Sequence, residues 1–448
     1  MVRLLTVEQF GEYRDFLLYG AMLFTIVEFS VHGSLAYFIP RDPSRERVYF
    51  TQASLFVLAT STVAALLVVA LGHLMPSEVI RQYKYALGLY TLFLCNLDAW
   101  EVYWIAKKQT LNVLRYSLTR LMTRTIIVIL AAFLSRSVST VIYTLVIFEA
   151  ARLAVMTAYA ANKRIFTSAL DVVTVRAHLA FFGPLGASNI LYTANVYMGQ
   201  LYISAVMGPA MLALYTIGTY LQPIIYVFRS SIGDVIMPEI ASKHEAPVTD
   251  ALVLWQRATV LYCAVMMPMT VLLYYYADVF VSVLFTDSYL AAIPVFQVFV
   301  LLLVRECFDF SLPLRIVNRT RTLFYATVGS VVANLLLMLV LFDIYGLVGP
   351  ALAVVVSRML VSVVLGGFVM KYCGYSLGGL LRWTDISKIV VLCFACLPIL
   401  LLGDAIEIHP MLRAAAFTFL YSLTYVGLLA KVGIDDVGRL IAKVLRRR

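Results

Sequence analysis

The sequence predicts an all-α polytopic membrane protein, and three observations lead to that fold class. Hydrophobic residues make up 62% of the 448 positions and charged residues only 13%, which is about half the charged share of a soluble domain. The apolar residues form long runs, and a helix that crosses a bilayer needs roughly 20 mostly apolar residues. The loops between the runs are too short to hold a soluble catalytic domain.

Thirteen of these runs are long enough to cross the bilayer. We expect the longer ones to contain an interfacial turn or a tilt. Residues 6–9 (Thr-Val-Glu-Gln) form a predicted capping box, so the chain enters its first helix there. The predicted spans are 14–39, 51–73, 85–106, 115–135, 138–161, 178–205, 210–240, 258–285, 290–313, 322–342, 347–370, 386–403 and 411–430.

The basic residues predict the orientation in the membrane, because Lys and Arg concentrate in cytoplasmic loops. Successive loops lie on alternate sides of the membrane, which divides them into two sets. One set carries about 23 Lys and Arg residues, and the other set, which includes Arg14, carries about 6. The larger set includes the C-terminal tail, so we expect that tail in the cytoplasm and Met1 outside. The net charge of +10 is then mainly an orientation signal. The basic residues are scattered over short loops, which argues against a nucleic-acid partner.

An outside N-terminus is unusual, since nothing before Arg14 resembles a signal peptide. We expect one more helix before Met1, which would give fourteen helices with both ends in the cytoplasm. The alternative is a protein whose N-terminus is natively outside.

Weak internal similarity favours two pseudo-symmetric helical lobes around a central cavity. Residues 10–13 and 212–215 each enter a long span that ends at a proline and a cytoplasmic loop. Paired halves with the substrate site at their interface are common in transporters. We predict an N-terminal lobe at 1–170, a C-terminal lobe at 171–372, an additional helix pair at 373–431 and a basic amphipathic tail at 432–448 on the inner leaflet.

Arginines inside the predicted spans are the candidate substrate-binding residues. Charge within hydrocarbon normally faces a bundle interior or a water-filled cavity. For Arg358, in mid-span, we favour a cavity over structural pairing. For Arg120, Arg152, Arg229 and Arg305, snorkelling to the inner headgroups is an equal alternative. Arg124 shares a helix face with Arg120. The set is Arg120, Arg124, Arg152, Arg229, Arg305 and Arg358.

Four carboxylates inside the spans are candidates for ion coupling: Glu28, Asp98, Glu101 and Glu149. Burial makes a carboxylate easier to protonate, so such a group can serve as a proton or sodium site. The alternative is ion pairing with the arginines. Beyond possible H⁺ or Na⁺ coupling, we predict no cofactor, metal site or catalytic residue.

Two segments resemble polysaccharide transporters, the O-antigen and exopolysaccharide flippases of the multidrug, oligosaccharidyl-lipid and polysaccharide exporter superfamily. Residues 4–13 (Leu-Leu-Thr-Val-Glu-Gln-Phe-Gly-Glu-Tyr) resemble the loop after that family's first helix. Residues 206–215, followed by Pro-Glu-Ile at 238–240, resemble its seventh-to-eighth helix connection. Members often carry an Asp about nine residues before Gly208, where this chain has Gly199, so no role is carried over for that Asp. The resemblance also implies a first helix upstream.

The resemblance implies a flippase for an anionic lipid-linked oligosaccharide, and the arginines suit that substrate. A guanidinium binds diphosphate with forked hydrogen bonds. We therefore predict alternating-access transport of a polyprenyl-diphosphate oligosaccharide across the cell inner membrane for surface polysaccharide synthesis, without enzymatic activity. The expected partners are this substrate, membrane lipids and other polysaccharide-assembly membrane proteins.

Three alternatives remain open. A cation-coupled multidrug exporter of the same superfamily would favour an acidic, aromatic cavity. A membrane-embedded glycan polymerase or ligase would need a substantial outer loop with catalytic residues. A scaffold that transports nothing would leave the intramembrane charges without a role.

Overall fold

The computed structural model describes residues 1–168, 171–221, 248–317 and 319–433. Within these ranges all regular structure is helical, which confirms the all-α prediction. The chain divides into two compact units, Met1–Leu214 and Tyr215–Arg448. The predicted lobe boundaries at 170 and 372 stay a prediction, and most of the predicted tail, 434–448, lies outside the described residues.

The first unit is built from eight described helices, the last of which continues past its boundary. They are α1 (Val7–Glu28), α2 (Val31–Arg41), α3 (Glu46–Leu71), α4 (Glu78–Cys95), α5 (Ala99–Ala106), α6 (Thr110–Ser135), α7 (Val138–Asn162) and α8 (Val172–Gly218).

The second unit contributes eleven further helices in the described part of the chain. They are α9 (Val248–Tyr275), α10 (Ala277–Leu284), α11 (Ile293–Val300), α12 (Leu302–Glu306), α13 (Ser311–Ile316), α14 (Thr320–Tyr345), α15 (Gly349–Cys373), α16 (Leu377–Leu380), α17 (Trp383–Ala395), α18 (Leu397–Asp404) and α19 (Pro410–Lys431).

Nine helical segments among the described residues are long and apolar enough to cross a membrane, or ten if the bent pair α1–α2 is one span. Most of the thirteen predicted spans overlap these segments, but the span at 85–106 is not among them, and the spans at 322–342 and 347–370 fall within one segment, Arg321–Cys373. Several predicted spans are also not continuous. The span predicted at 85–106 is divided into α4 and α5, and the span at 290–313 into short helices. The span predicted at 178–205 and the first residues of the span at 210–240 are joined in α8, which is interrupted at Gly208 with φ +80°; residues 222–240 lie outside the described residues. Hydrophobicity located the spans and did not reveal these breaks.

The start of α1 confirms the predicted capping box. The Thr6 hydroxyl accepts a hydrogen bond from the Gln9 backbone N–H, and the Gln9 side-chain oxygen accepts one from the Thr6 N–H, each at 3.2 Å. Two orphan amide donors at the helix start are thereby satisfied. On the next turn, a Cβ at Gly11 would lie 1.8 Å from the Pro209 carbonyl oxygen, so only glycine permits this contact between α1 and α8.

The break between α1 and α2 is held by one side chain. Phe29 and Ser30 adopt left-handed conformations with φ of +48° and +61°. The Glu28 carboxylate accepts hydrogen bonds of 2.8 Å from the N–H groups of Ser30 and His32, and so caps the start of α2. On the facing helix α8, a Cβ at Gly186 would come within 2.5 Å of the Phe29 carbonyl oxygen. The two helices meet at 44°.

Helix α5 is anchored by aromatic side chains. Trp100 is 3% exposed, and its ring centroid lies 4.9 Å from Phe50 and 5.8 Å from Trp104. Rings on several elements thereby fix this short helix. Two of the predicted coupling carboxylates, Asp98 and Glu101, lie at its start and are positioned by that packing.

Candidate functional site

A partly open cavity of about 360 Å³ lies in the first unit, and its lining combines apolar side chains with polar ones that include two arginines. It is formed by residues of α1, α4, α6 and α8 together with the residue that precedes α5. The polar lining consists of Arg14, Tyr90, Asp98, Arg124, Tyr197 and Gln200, and the apolar lining of Leu17, Leu18, Ala21, Phe24 and Leu94. Two arginines face one carboxylate, so the charged lining carries a net positive charge.

Arg14 is a site residue that the sequence analysis missed. It was assigned to the outer set of bases at the start of the first span, whereas it lies two turns into α1. Arg14, Leu17, Ala21 and Phe24 follow the three-and-four spacing of one helix face, and that face lines the cavity. The capping box already began the helix before Arg14, but the predicted membrane span began at residue 14, and Arg14 was therefore counted with the loop charges outside it.

Neighbouring Asp15 explains how this part of α1 is held. The Asp15 side chain is 1% exposed and accepts hydrogen bonds from the hydroxyls of Ser77, which begins α4, and Ser204 on α8, the latter at 2.6 Å. A buried carboxylate with two donors ties three helices together. Arg14 is consequently presented from a fixed helix.

Arg124 is the predicted candidate that faces the cavity. Its guanidinium donates a hydrogen bond of 3.4 Å to the Tyr90 hydroxyl, and within the described ranges no carboxylate forms an ion pair with it. Tyr90 is 3% exposed and packs against Phe16 with 5.3 Å between ring centroids. A fixed phenol therefore holds a cation that has no carboxylate within ion-pair distance among those residues, while the buried Glu149 acts on it electrostatically from further away.

Two other candidate arginines of the first unit form ion pairs, which is the alternative role considered for these charges. Arg120 contacts the Glu101 carboxylate at 2.8 Å. Arg152 pairs with Glu149 and donates a further hydrogen bond of 2.8 Å to the Tyr116 hydroxyl. Glu149 is fully buried. Neither pair contributes to the lining of the cavity.

Glu28 and Asp98 meet around a histidine. His32 Nδ1 lies 3.6 Å from Glu28 Oε1 and 3.7 Å from Asp98 Oδ2. His32 is 1% exposed, and neither of its ring nitrogens has a hydrogen-bond partner in the described part of the chain. Asp98 also lines the cavity, so this group of three side chains borders the same space as Arg124.

The second unit holds the remaining candidates. Arg305 pairs with the adjacent Glu306 at 2.8 Å, and both side chains are largely buried. Arg358 is half-buried in the middle of α15 and lies close enough to the buried hydroxyl of Tyr215 to act on it electrostatically. Arg229 lies outside the described residues.

The geometry of the first unit is suited to an anionic ligand with hydroxyl groups. Arg14 and Arg124 supply positive charge and several N–H donors, which match a phosphate or diphosphate. Tyr197 and Gln200 add neutral hydrogen-bonding groups to the same lining. Both features fit a phosphorylated sugar better than a hydrophobic cation.

Residues 1–294 match the model of a family described as polysaccharide biosynthesis protein. None of the curated protein sequences matches the chain.

Solved membrane transporters share the fold. The lipid II flippase MurJ in an inward closed conformation has 15% sequence identity and a TM-score of 0.66, with 96% of this chain and 98% of that chain covered. An inward-facing multidrug resistance transporter of the MATE family and MOP superfamily has 13% identity and a TM-score of 0.57, with 81% and 90% covered. The Vibrio cholerae MATE transporter VcmN has 10% identity and a TM-score of 0.52, with 82% and 89% covered. At these identities the likeness establishes a multi-pass transporter fold.

Proposed function

Because the chain belongs to this family of polysaccharide biosynthesis proteins, we propose that it is a flippase for a lipid-linked oligosaccharide and not an enzyme. The substrate class is an anionic polyprenyl-diphosphate oligosaccharide. Its hydrated headgroup passes through the protein while the polyprenyl tail stays in lipid. The products serve surface polysaccharide synthesis, with O-antigen and exopolysaccharide as the expected kinds.

The observation that carries this proposal is the cavity with Arg14 and Arg124 in its lining. A cation in a membrane protein normally faces an aqueous space or a counter-charge. Arg124 faces the cavity and, within the described ranges, forms no ion pair. A diphosphate would supply the missing negative charge in the forked geometry that guanidinium prefers.

Alternating access needs two bodies that can move as units, and the chain has two compact units. We assign coupling to H⁺ or Na⁺, and one candidate carboxylate is Glu149. This carboxylate is fully buried, and its Oε1 has no hydrogen-bond partner among the described residues. Glu101 is another candidate, and both carboxylates have an arginine partner, Arg120 for Glu101 and Arg152 for Glu149.

The orientation follows from the loop charges, with the C-terminus in the cytoplasm and the protein in the inner membrane. A single cysteine at Ser44 should be shielded from an impermeant thiol reagent in intact cells, and one at Ser288 should be labelled. Both positions are exposed in the structure, and of the native cysteines only Cys373 is not buried. Labelling at Ser44 but not at Ser288 would reverse the orientation.

The function is tested by transport in proteoliposomes that contain the purified full-length chain. The probe is a fluorescent polyprenyl-diphosphate oligosaccharide, whose appearance in the opposite leaflet is measured by quenching. We expect flipping of this lipid, and none of the same glycan on a neutral polyprenyl ether or of a lipophilic cationic dye. Equal flipping of the neutral lipid would remove the arginines from recognition, and transport of the dye alone would identify a multidrug exporter.

A further inference from the structure

We infer that Glu28, His32 and Asp98 form a binding site for a divalent transition-metal ion of the Zn²⁺ type. The sequence analysis predicted no metal site and assigned the two carboxylates to H⁺ or Na⁺. His32, which that analysis left out of the site, changes the chemistry of the group.

The spacing of the three side chains fits a shared ion better than direct hydrogen bonds. His32 Nδ1 lies 3.6 Å from a Glu28 oxygen and 3.7 Å from an Asp98 oxygen, beyond the usual hydrogen-bond range. One ligand atom from each residue lies within 4.8 Å of the others. Two atoms bound to Zn²⁺ at about 2.0–2.1 Å and at tetrahedral to trigonal angles are separated by roughly 3.4–3.6 Å.

His32 is the independent sign that a ligand belongs here. A buried polar group without a hydrogen bond costs about 1–3 kcal/mol. His32 is 1% exposed, and both of its ring nitrogens lack a hydrogen-bond partner in the described ranges. Coordination by Nδ1 would satisfy one of them. The imidazole also selects the metal, because Mg²⁺, Ca²⁺ and Na⁺ favour oxygen ligands whereas Zn²⁺ and its neighbours bind imidazole readily.

The backbone preorganises the site. Glu28 and His32 flank the break between α1 and α2, and the Glu28 carboxylate is fixed by hydrogen bonds of 2.8 Å from the Ser30 and His32 N–H groups. Asp98 is presented by the start of α5, which the Trp100 packing anchors. Ligands on such supports are held near their binding geometry.

Three protein ligands leave a coordination position open, as in zinc sites that bind a substrate or water. Asp98 lines the cavity that also contains Arg14 and Arg124. The open position would therefore point toward that cavity. If the proposed function holds, the metal would share the diphosphate with the two arginines. The metal site itself does not depend on that function.

The test is a Co²⁺ titration of the metal-free, purified full-length protein in detergent, followed by visible absorption. We expect one tightly bound equivalent that Zn²⁺ displaces and that a large excess of Mg²⁺ does not. His32→Gln and Asp98→Asn should each weaken binding at least tenfold. The matched control is His73→Gln, at an exposed histidine that should leave binding unchanged.

Stability measurements keep the test valid if a variant folds poorly. Zn²⁺ should raise the Tm of the wild-type protein and of His73→Gln but not that of Asp98→Asn, which keeps the side-chain shape. Equal Co²⁺ affinity in the wild type and Asp98→Asn, or loss of binding in His73→Gln, would overturn the site. Absence of Co²⁺ binding by the wild-type protein would also overturn the metal site, and the three side chains would then share only a proton. Arg124→Ala should bind Co²⁺ normally, which separates this test from the transport assay.

Discussion

Arg120 and Arg124 are four residues apart on α6, yet they have different surroundings. Arg120 contacts Glu101 at 2.8 Å, and its side chain is 33% exposed. Arg124 faces the cavity, donates to the Tyr90 hydroxyl and has no carboxylate partner in the described part of the chain. A shared helix face and residue type therefore do not imply the same surroundings, because the elements packed around each side chain differ.

Arg152 on α7 extends the comparison to a fully buried pair. Its partner Glu149 has no exposed side-chain surface, while Arg152 is 11% exposed. The three arginines thus form a series, from a buried pair through a partly exposed pair to a cavity residue with no ion pair among the described residues. Their substitution should affect stability and transport in different proportions, which makes the series testable.

The largest expected effect on stability is that of Arg152→Ala. It would leave the Glu149 carboxylate buried without its cation, which typically costs about 3–5 kcal/mol. We expect a strong fall in Tm and in membrane abundance. Adding Glu149→Gln should restore much of the loss, because it removes the buried charge. If the Arg152→Ala protein is normally stable but fails to transport, Arg152 must instead be assigned to substrate binding.

Arg124→Ala should have the largest effect on transport with little effect on Tm. A hydrogen bond to a charged group is worth about 1.5–3 kcal/mol, so flipping should fall about tenfold or more. Arg124→Lys should recover only part of it, since lysine keeps the charge and loses the fork. Arg115→Ala, at an exposed arginine on the same helix, is the control. Full activity of Arg124→Ala would exclude it from the substrate site.

Arg358→Ala tests whether the second unit also contributes to the site. If Arg358 binds diphosphate, glycan export should be lost at normal protein abundance, and Arg358→Lys should recover it only in part. If Arg358 is structural, the Ala variant should instead have reduced abundance. The two readouts are export in cells and quantified membrane protein. Normal export together with normal abundance would remove Arg358 from both roles.

Arg120→Ala should have the smallest effect. This pair is less buried than Arg152–Glu149, so Tm should fall by less than in Arg152→Ala, and flipping should stay near the wild-type rate because neither residue lines the cavity. A loss of transport as large as that of Arg124→Ala would mean that the Arg120–Glu101 contact gives way to substrate during the cycle. The comparison on α6 would then fail.

The features that the sequence could predict depend on interactions between residues close together along the chain. Apolar run length located the spans, and the Thr6–Gln9 spacing located the start of α1. Both depend on neighbours along the chain, because burial in lipid and helix capping act over a few residues. The sequence also identified the charged residues inside the spans, since charge is rare in such apolar runs.

Only the tertiary structure decided which of those charges form the site. Arg120 meets Glu101 and Asp98 meets Glu28 and His32 because separate helices pack side by side, and no local pattern encodes that packing. The α1–α2 break behaves likewise. Its left-handed residues are held by the Glu28 cap and by the approach of Gly186 on α8, so a hydropathy pattern could show only one long span. Composition placed charge in the membrane, and partners distant along the chain determined which arginines form ion pairs among the described residues.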